Sequence, residues 1–132
     1  MKFTLEQSTN NTVSRYDADS IVIGDDTFHR SLILSADRII PDWDHPSIRE
    51  LDTGSLQPAL DLAPELVVLG TGQIHAFPGT RLLIQMAALG VGFEAMATPA
   101  ACRTYNVLMQ EGRNVVAALV VGPRPDKPPV RD

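Results

Sequence analysis

The sequence predicts a single α/β domain with a C-terminal βαβαβ half preceded by an N-terminal antiparallel β-ribbon. Three observations point there. The chain is 132 residues long, enough to bury roughly two-thirds of the surface its unfolded form exposes in one core. Its first third places apolar and polar residues alternately in short runs, the pattern of half-buried strands. From Pro64 onward, apolar runs of strand length alternate with stretches of helical periodicity. Strand–helix–strand order repeated twice sets parallel strands side by side.

In the N-terminal third, "TVSRY" and "SIVIG" flank the polar "DAD" and predict a hairpin. "TFHRSLIL" follows, with Phe28, Arg30 and Leu32 expected on one face of a strand. Residues 35–54 mix charge, two prolines and a glycine; a short strand at Arg38–Ile40 and a loop carrying Trp43 are expected. "SLQPALDLA" predicts a helical turn beginning near Ser55.

In the C-terminal half, "ELVVLG" is a continuous apolar run suited to a strand covered on both faces. "PGTRLLIQMAALG" predicts a helix with Leu82, Leu83, Met86 and Leu89 at helical spacing, Arg81 and Gln85 opposite, and Gly90 as C-cap. "VGFEAM" is the second strand and "NVVAALVVG" the third, so parallel neighbours are expected near Leu66–Leu69, Val91–Ala95 and Val115–Val121. Between them, "ATPAACRTYNVLMQEGR" is the clearest helix. Thr98 is expected as its N-cap, Pro99 suits its first turn, and Gly112 marks its exit. Ala101, Tyr105 and Leu108 share one stripe, with Cys102 and Met109 at its margin and Arg103, Asn106, Gln110 and Arg113 on the wet side. The domain is expected to span 1–122. The segment 123–132, rich in proline, is expected as a disordered tail.

Charge and composition exclude several classes. The net charge is −5, with no lysine–arginine run, which argues against nucleic acid as a partner. No apolar stretch approaches the roughly 20 residues of a membrane span, and "MKFTLEQSTNN" lacks the character of a leader peptide. A single cysteine excludes an internal disulfide and fits a reducing compartment. The expectation is a cytoplasmic domain without direct membrane insertion.

Three places are candidates for chemistry. Cys102 lies one turn into its helix beside Arg103, where the helix dipole could activate a thiol. Catalysis would also need a base, and His29, His45 and His75 carry no cysteine-enzyme signature; a small buried hydrophobe is the plainer reading. "LGTGQIHAFPGT" joins a strand to a helix, where backbone amides can hold an anion, and Glu94 ends the next strand. A dinucleotide fingerprint would need glycine at His75, and no G-K-[ST] follows. Asp42, Asp44 and His45 gather around Trp43 without metal-motif spacing, as expected of a solvated loop anchored by its tryptophan. No catalytic residue, metal or cofactor is assigned.

Together, "GTG" at Gly70–Gly72, "GFEAM" at Gly92–Met96, "AACRTYN" at Ala100–Asn106 and "EGRNVVAAL" at Glu111–Leu119 make the chain resemble a family of small single-domain proteins. That family includes a mitochondrial respiratory complex I assembly factor, an adipogenesis-associated vertebrate protein, and many bacterial and archaeal members. Where members commonly carry Asp-Thr-Gly, this chain has Ala97, Thr98 and Pro99, so that acid is missing. The resemblance implies a central mixed sheet with helices packed on it and an N-terminal β-ribbon. It implies no established enzymatic activity and, for the best-understood branch, action through protein partners. Gly70, Thr71, Gly72, Cys102, Arg103 and Asn106 match the family pattern; with Thr98 they make the candidate ligand-binding set.

Two functions follow as expectations. The first is a non-enzymatic protein-interaction module, an assembly or stability factor for a larger membrane complex. The alternative is a small-ligand or anion-binding protein, or an enzyme, using a cleft between the Gly70–Gly72 loop and the helix starting at Thr98. An exposed apolar patch favours the first, and a polar concavity with convergent donors the second.

Overall fold

The structure, a computed structural model, describes residues 10–122; the expected tail at 123–132 lies outside them. The N-terminal strands β1 (Val13–Tyr16), β2 (Ile21–Ile23) and β3 (Asp26–Phe28) form a three-stranded antiparallel ribbon. Asp17 closes its first turn by accepting the N–H groups of Asp19 and Ser20, each at 2.9 Å. Those bonds hold its carboxyl below the usual range.

The second sheet is mixed, in the order β5–β4–β8–β6–β7. It comprises β4 (Leu32–Leu34), β5 (Ile39–Ile40), β6 (Leu66–Gly70), β7 (Gly92–Met96) and β8 (Val115–Leu119). β6 pairs parallel with β7 on one side and with β8 on the other, as the two crossovers require. β4 runs antiparallel to β8, Leu32 opposite Leu119. The mixed sheet and antiparallel ribbon implied by the resemblance are therefore present. The expected strand through Phe28, Arg30 and Leu32 is instead broken: β3 and β4 belong to different sheets, and residues 29–31 carry the chain across. Ser31 makes the crossing fit, its buried hydroxyl accepting the Val121 N–H at 3.0 Å.

Helices cover both faces of this sheet. A short 3₁₀ helix (Ile48–Glu50), α1 (Gln57–Leu60) and α2 (Thr80–Leu89) lie on one side, where Ile48, Leu56, Leu82 and Met86 pack on Val67, Leu69 and Val116. On the other side lies α3 (Thr98–Gln110), with the ribbon beside it. There Cys102 and Tyr105 join Ile21, Ile23, Val68 and Leu119 in a second core. Each fully buried Leu, Ile or Met contributes about 1.5–3 kcal/mol, so β6, sandwiched between both cores, is the hub.

Two helix expectations need correction. The buried stripe of α2 is narrower than its periodicity suggests: Leu82 and Met86 are buried, but Leu83 and Leu89 remain about half exposed. The cause is position, because α2 packs on β7 at the edge of the sheet. Thr98 is not the cap of α3 either. Ala97 takes the N-cap position without a side-chain bond, because the Thr98 hydroxyl is used elsewhere.

Candidate functional site

Strand β6 ends at Gly70 against the first turn of α3. A Cβ on Gly70 would stand 2.9 Å from Thr98 Oγ1, 3.0 Å from Thr98 Cα and 3.1 Å from Ala101 Cβ. Only glycine permits that approach. The chain then turns through Gly72 at φ 116°, a left-handed conformation that disfavours a side chain.

The polar atoms of this joint pair with one another. Thr98 Oγ1 accepts the Gly72 N–H at 2.9 Å and donates to the Val120 carbonyl at 2.8 Å. The Thr98 N–H donates to the Gly72 carbonyl at 2.7 Å, and the Val120 N–H to the Gly70 carbonyl at 2.9 Å. Thr71, fully buried, donates its N–H to the Met96 carbonyl and accepts the Ala76 N–H on its hydroxyl. That hydroxyl also lies 3.0 Å from His75 Nδ1. At the start of α3, one amide is thus committed to Gly72 and the next position, Pro99, has none.

The remaining candidate residues lead away from the joint. Cys102 is fully buried in the core rather than at the margin of the helix face. Burial pushes its thiol up to about 12, with Arg103 opposing only in part; at neutral pH it is a protonated packing group. Arg103 is exposed and donates from Nη1 to the Tyr16 hydroxyl at 2.7 Å. Asn106 is not on a wet face: its amide accepts the Val13 N–H at 3.0 Å and donates to the Val13 carbonyl at 2.9 Å. Tyr105 donates its hydroxyl to the Asn11 carbonyl at 2.7 Å, so three α3 residues clasp the ribbon and the segment leading into it. The structure therefore brings Gly70, Gly72 and Thr98 together and gives Arg103 and Asn106 to the ribbon.

Several surface depressions lie away from this joint. Three of about 500, 440 and 350 Å³ are lined by none of the seven candidate residues. The smallest contains the Trp43 loop. There His45 Nε2 lies 3.1 Å from Ser31 Oγ, its Nδ1 lies 2.8 Å from the Pro46 carbonyl, and its ring rests 4.4 Å from that of Trp43. Trp43 itself is buried and donates Nε1–H to the Ser55 carbonyl, the anchoring role its loop position suggested. Among the described residues, no group of three or more His, Cys, Asp or Glu side chains is placed to hold a metal. No helix among them is long and apolar enough to cross a membrane.

What sequence reasoning missed is apolar. Ile74 and Phe77, in the loop after β6, and Leu83, Ile84 and Leu89 on α2 are exposed large hydrophobics, Phe77 to 78%. The signal was the run "RLLIQMAAL", which has more apolar residues than one buried stripe can use.

A family model described as a protein of unknown function, DUF498/DUF598, matches residues 13–120. The chain belongs to that family. This DUF498/DUF598 chain is similar to the "13 kDa major membrane protein" of Francisella tularensis, at 32% identity over 94 residues, covering 70% of this chain and 76% of that one. It is also similar to human NADH dehydrogenase [ubiquinone] 1 alpha subcomplex assembly factor 3, at 39% identity over 79 residues. That match covers 60% of this chain but only 42% of the human protein. A crystal structure of a Bordetella parapertussis protein superposes with a TM-score of 0.78 and 36% identity, covering 86% of this chain and 97% of that one. The family thus includes assembly factors, and its fold is the mixed α/β domain described above.

Proposed function

We propose that this protein acts by binding another protein, as an assembly or stability factor, through the apolar surface of α2 and the loop preceding it. One observation carries the reading: Leu83 and Ile84 stand exposed side by side on α2, and Ile74 and Phe77 are exposed in the loop that leads into it; exposed apolar side chains on neighbouring segments mark interaction sites. Two further points support it. The donors around Gly72 and Thr98 are engaged with each other, and a human relative is named an assembly factor. The reading places the interaction in the cytoplasm, where a single buried thiol stays reduced.

Affinity capture from the native host tests it, with the wild type run beside Phe77→Ser and Ile84→Glu. A co-purifying protein seen with the wild type and depleted with both variants is expected. Equal recovery with wild type and variants would overturn the choice of surface.

A further inference from the structure

The outward side of α2 differs from an ordinary solvated helix face. Its exposed positions include Thr80, Arg81, Leu83, Ile84, Ala87 and Ala88, with one charge among them. At 3.6 residues per turn, Leu83, Ile84, Ala87 and Ala88 are i, i+3 and i+4 neighbours and form one patch. Size is ordered along that patch: two bulky side chains lie toward the N-terminal end and two methyl groups toward the C-terminal end.

We propose that this face is a two-fold interface in which α2 packs antiparallel against α2 of a second copy of the chain, each bulky pair entering the gap left by the other copy's alanines. The proposal rests on the reading that the exposed apolar surface binds protein, and adds the identity of the partner. A closed two-fold contact needs a surface complementary to itself, residue i meeting j while j meets i. Rotation about an axis level with the midpoint of Gln85 and Met86 sets Leu83 opposite Ala88 of the second copy, and Ile84 opposite its Ala87. No large side chain meets another head-on along the patch.

Charge agrees with this arrangement. Arg81 comes beside Gly90 of the second copy, where the helix carbonyls carry partial negative charge and no basic side chain occupies the last turn. The two Arg81 positions are about 13 Å apart along the axis at 1.5 Å per residue, beyond the Debye length of about 8 Å at physiological salt. Copies of a chain with net charge −5 repel one another over most approaches, and α2 itself carries no carboxylate, so its outer face is where two can meet.

Sedimentation equilibrium on the full chain tests the proposal, using wild type, Ala87→Glu, and the double variant Ile84→Lys with Ala87→Glu. The wild type is expected at twice the 14.3 kDa chain mass at tens of micromolar, about a 6–7 kcal/mol association. Ala87→Glu alone sets a carboxylate against Ile84 of the second copy and is expected to raise the dissociation constant at least tenfold. The double variant is expected to recover association at low salt, each lysine facing the other copy's glutamate, and to lose it again at high salt. Leu83→Lys with Ala88→Glu provides an independent pair, and circular dichroism confirms that each variant is folded. A monomeric wild type, a dimer indifferent to Ala87→Glu, or a folded double variant no better than the single one would overturn the proposal. If the wild type is monomeric while Ile84→Glu still loses a captured protein, self-pairing fails and the docking surface stands. A dimer with no captured protein gives the reverse.

Discussion

The joint at Gly70, Gly72 and Thr98 and the outer face of α2 lie at successive points of the chain but are opposite kinds of surface. At the joint, the Thr98 hydroxyl and six backbone groups pair with one another in a buried contact that only glycine allows. On α2, apolar side chains end in solvent. The motif-like residues thus close the fold, whereas the surface that invites a partner carries no motif at all. Polar signatures are easy to notice in a sequence, yet a buried polar group must be satisfied and is usually satisfied locally.

The joint is expected to be where substitution is felt most. Gly70→Ala drives a Cβ into Thr98 backbone and Ala101, and a loss of about 3 kcal/mol or more is expected, read by urea denaturation. A loss below about 1 kcal/mol would show that the joint yields and the contrast with α2 is weaker than drawn. Thr98→Val keeps the shape but strands the Gly72 N–H and the Val120 carbonyl; about 2–3 kcal/mol is expected. Near-wild-type stability would mean that another group replaces the hydroxyl.

Cys102 sharpens the comparison through pH. Its thiol is held up from 9.0 to about 12 by burial, so above pH 9 the unfolded state releases the proton first. The contribution is intact below pH 9 and is lost as pH rises toward 12, by up to about 1.4 kcal/mol per pH unit. Tyr105, also raised by burial, steepens the upper part of that window. Denaturation midpoints from pH 8 to 11 should fall in the wild type and fall less in Cys102→Ala. Equal slopes would mean that the thiol titrates normally. The smallest effect is expected on α2: Ile84→Ser in dilute protein should change monomer stability by no more than about 0.5 kcal/mol. A larger loss would place Ile84 in the core.

Much of this architecture was legible in the sequence because two periodicities carry it. The runs at Val67–Leu69 and Val115–Leu119 had to be strands covered on both faces, and they are. The break at His29–Ser31 was hidden because a change of sheet leaves the alternation of apolar residues intact. Thr98 misled because threonine before proline satisfies the rules for a cap, while its true partners lie 22 and 26 residues away in sequence. Leu83 and Leu89 misled because periodicity reports that a helix has an apolar side without reporting how wide a surface it meets. Asn106 read as a solvent-facing polar residue for the same reason, since nothing local reveals a strand 93 residues upstream.

That Asn106 clasp has a consequence for folding order. Strands β1 to β3 pair with near neighbours, but Arg103 and Asn106 hold β1, and Tyr105 holds Asn11 just before it, through links spanning 87 to 94 residues. Such closures come after the local structures they join, so the ribbon seats on α3 only once its own hairpins have formed, as does β4 on β8 across the 87 residues from Leu32 to Leu119. Cys102 shares its core with Val13, Ile21 and Ile23, and a lifted ribbon uncovers it. The rate at which the folded protein's thiol reacts then counts those openings, making the single cysteine a clock for the ribbon's breathing.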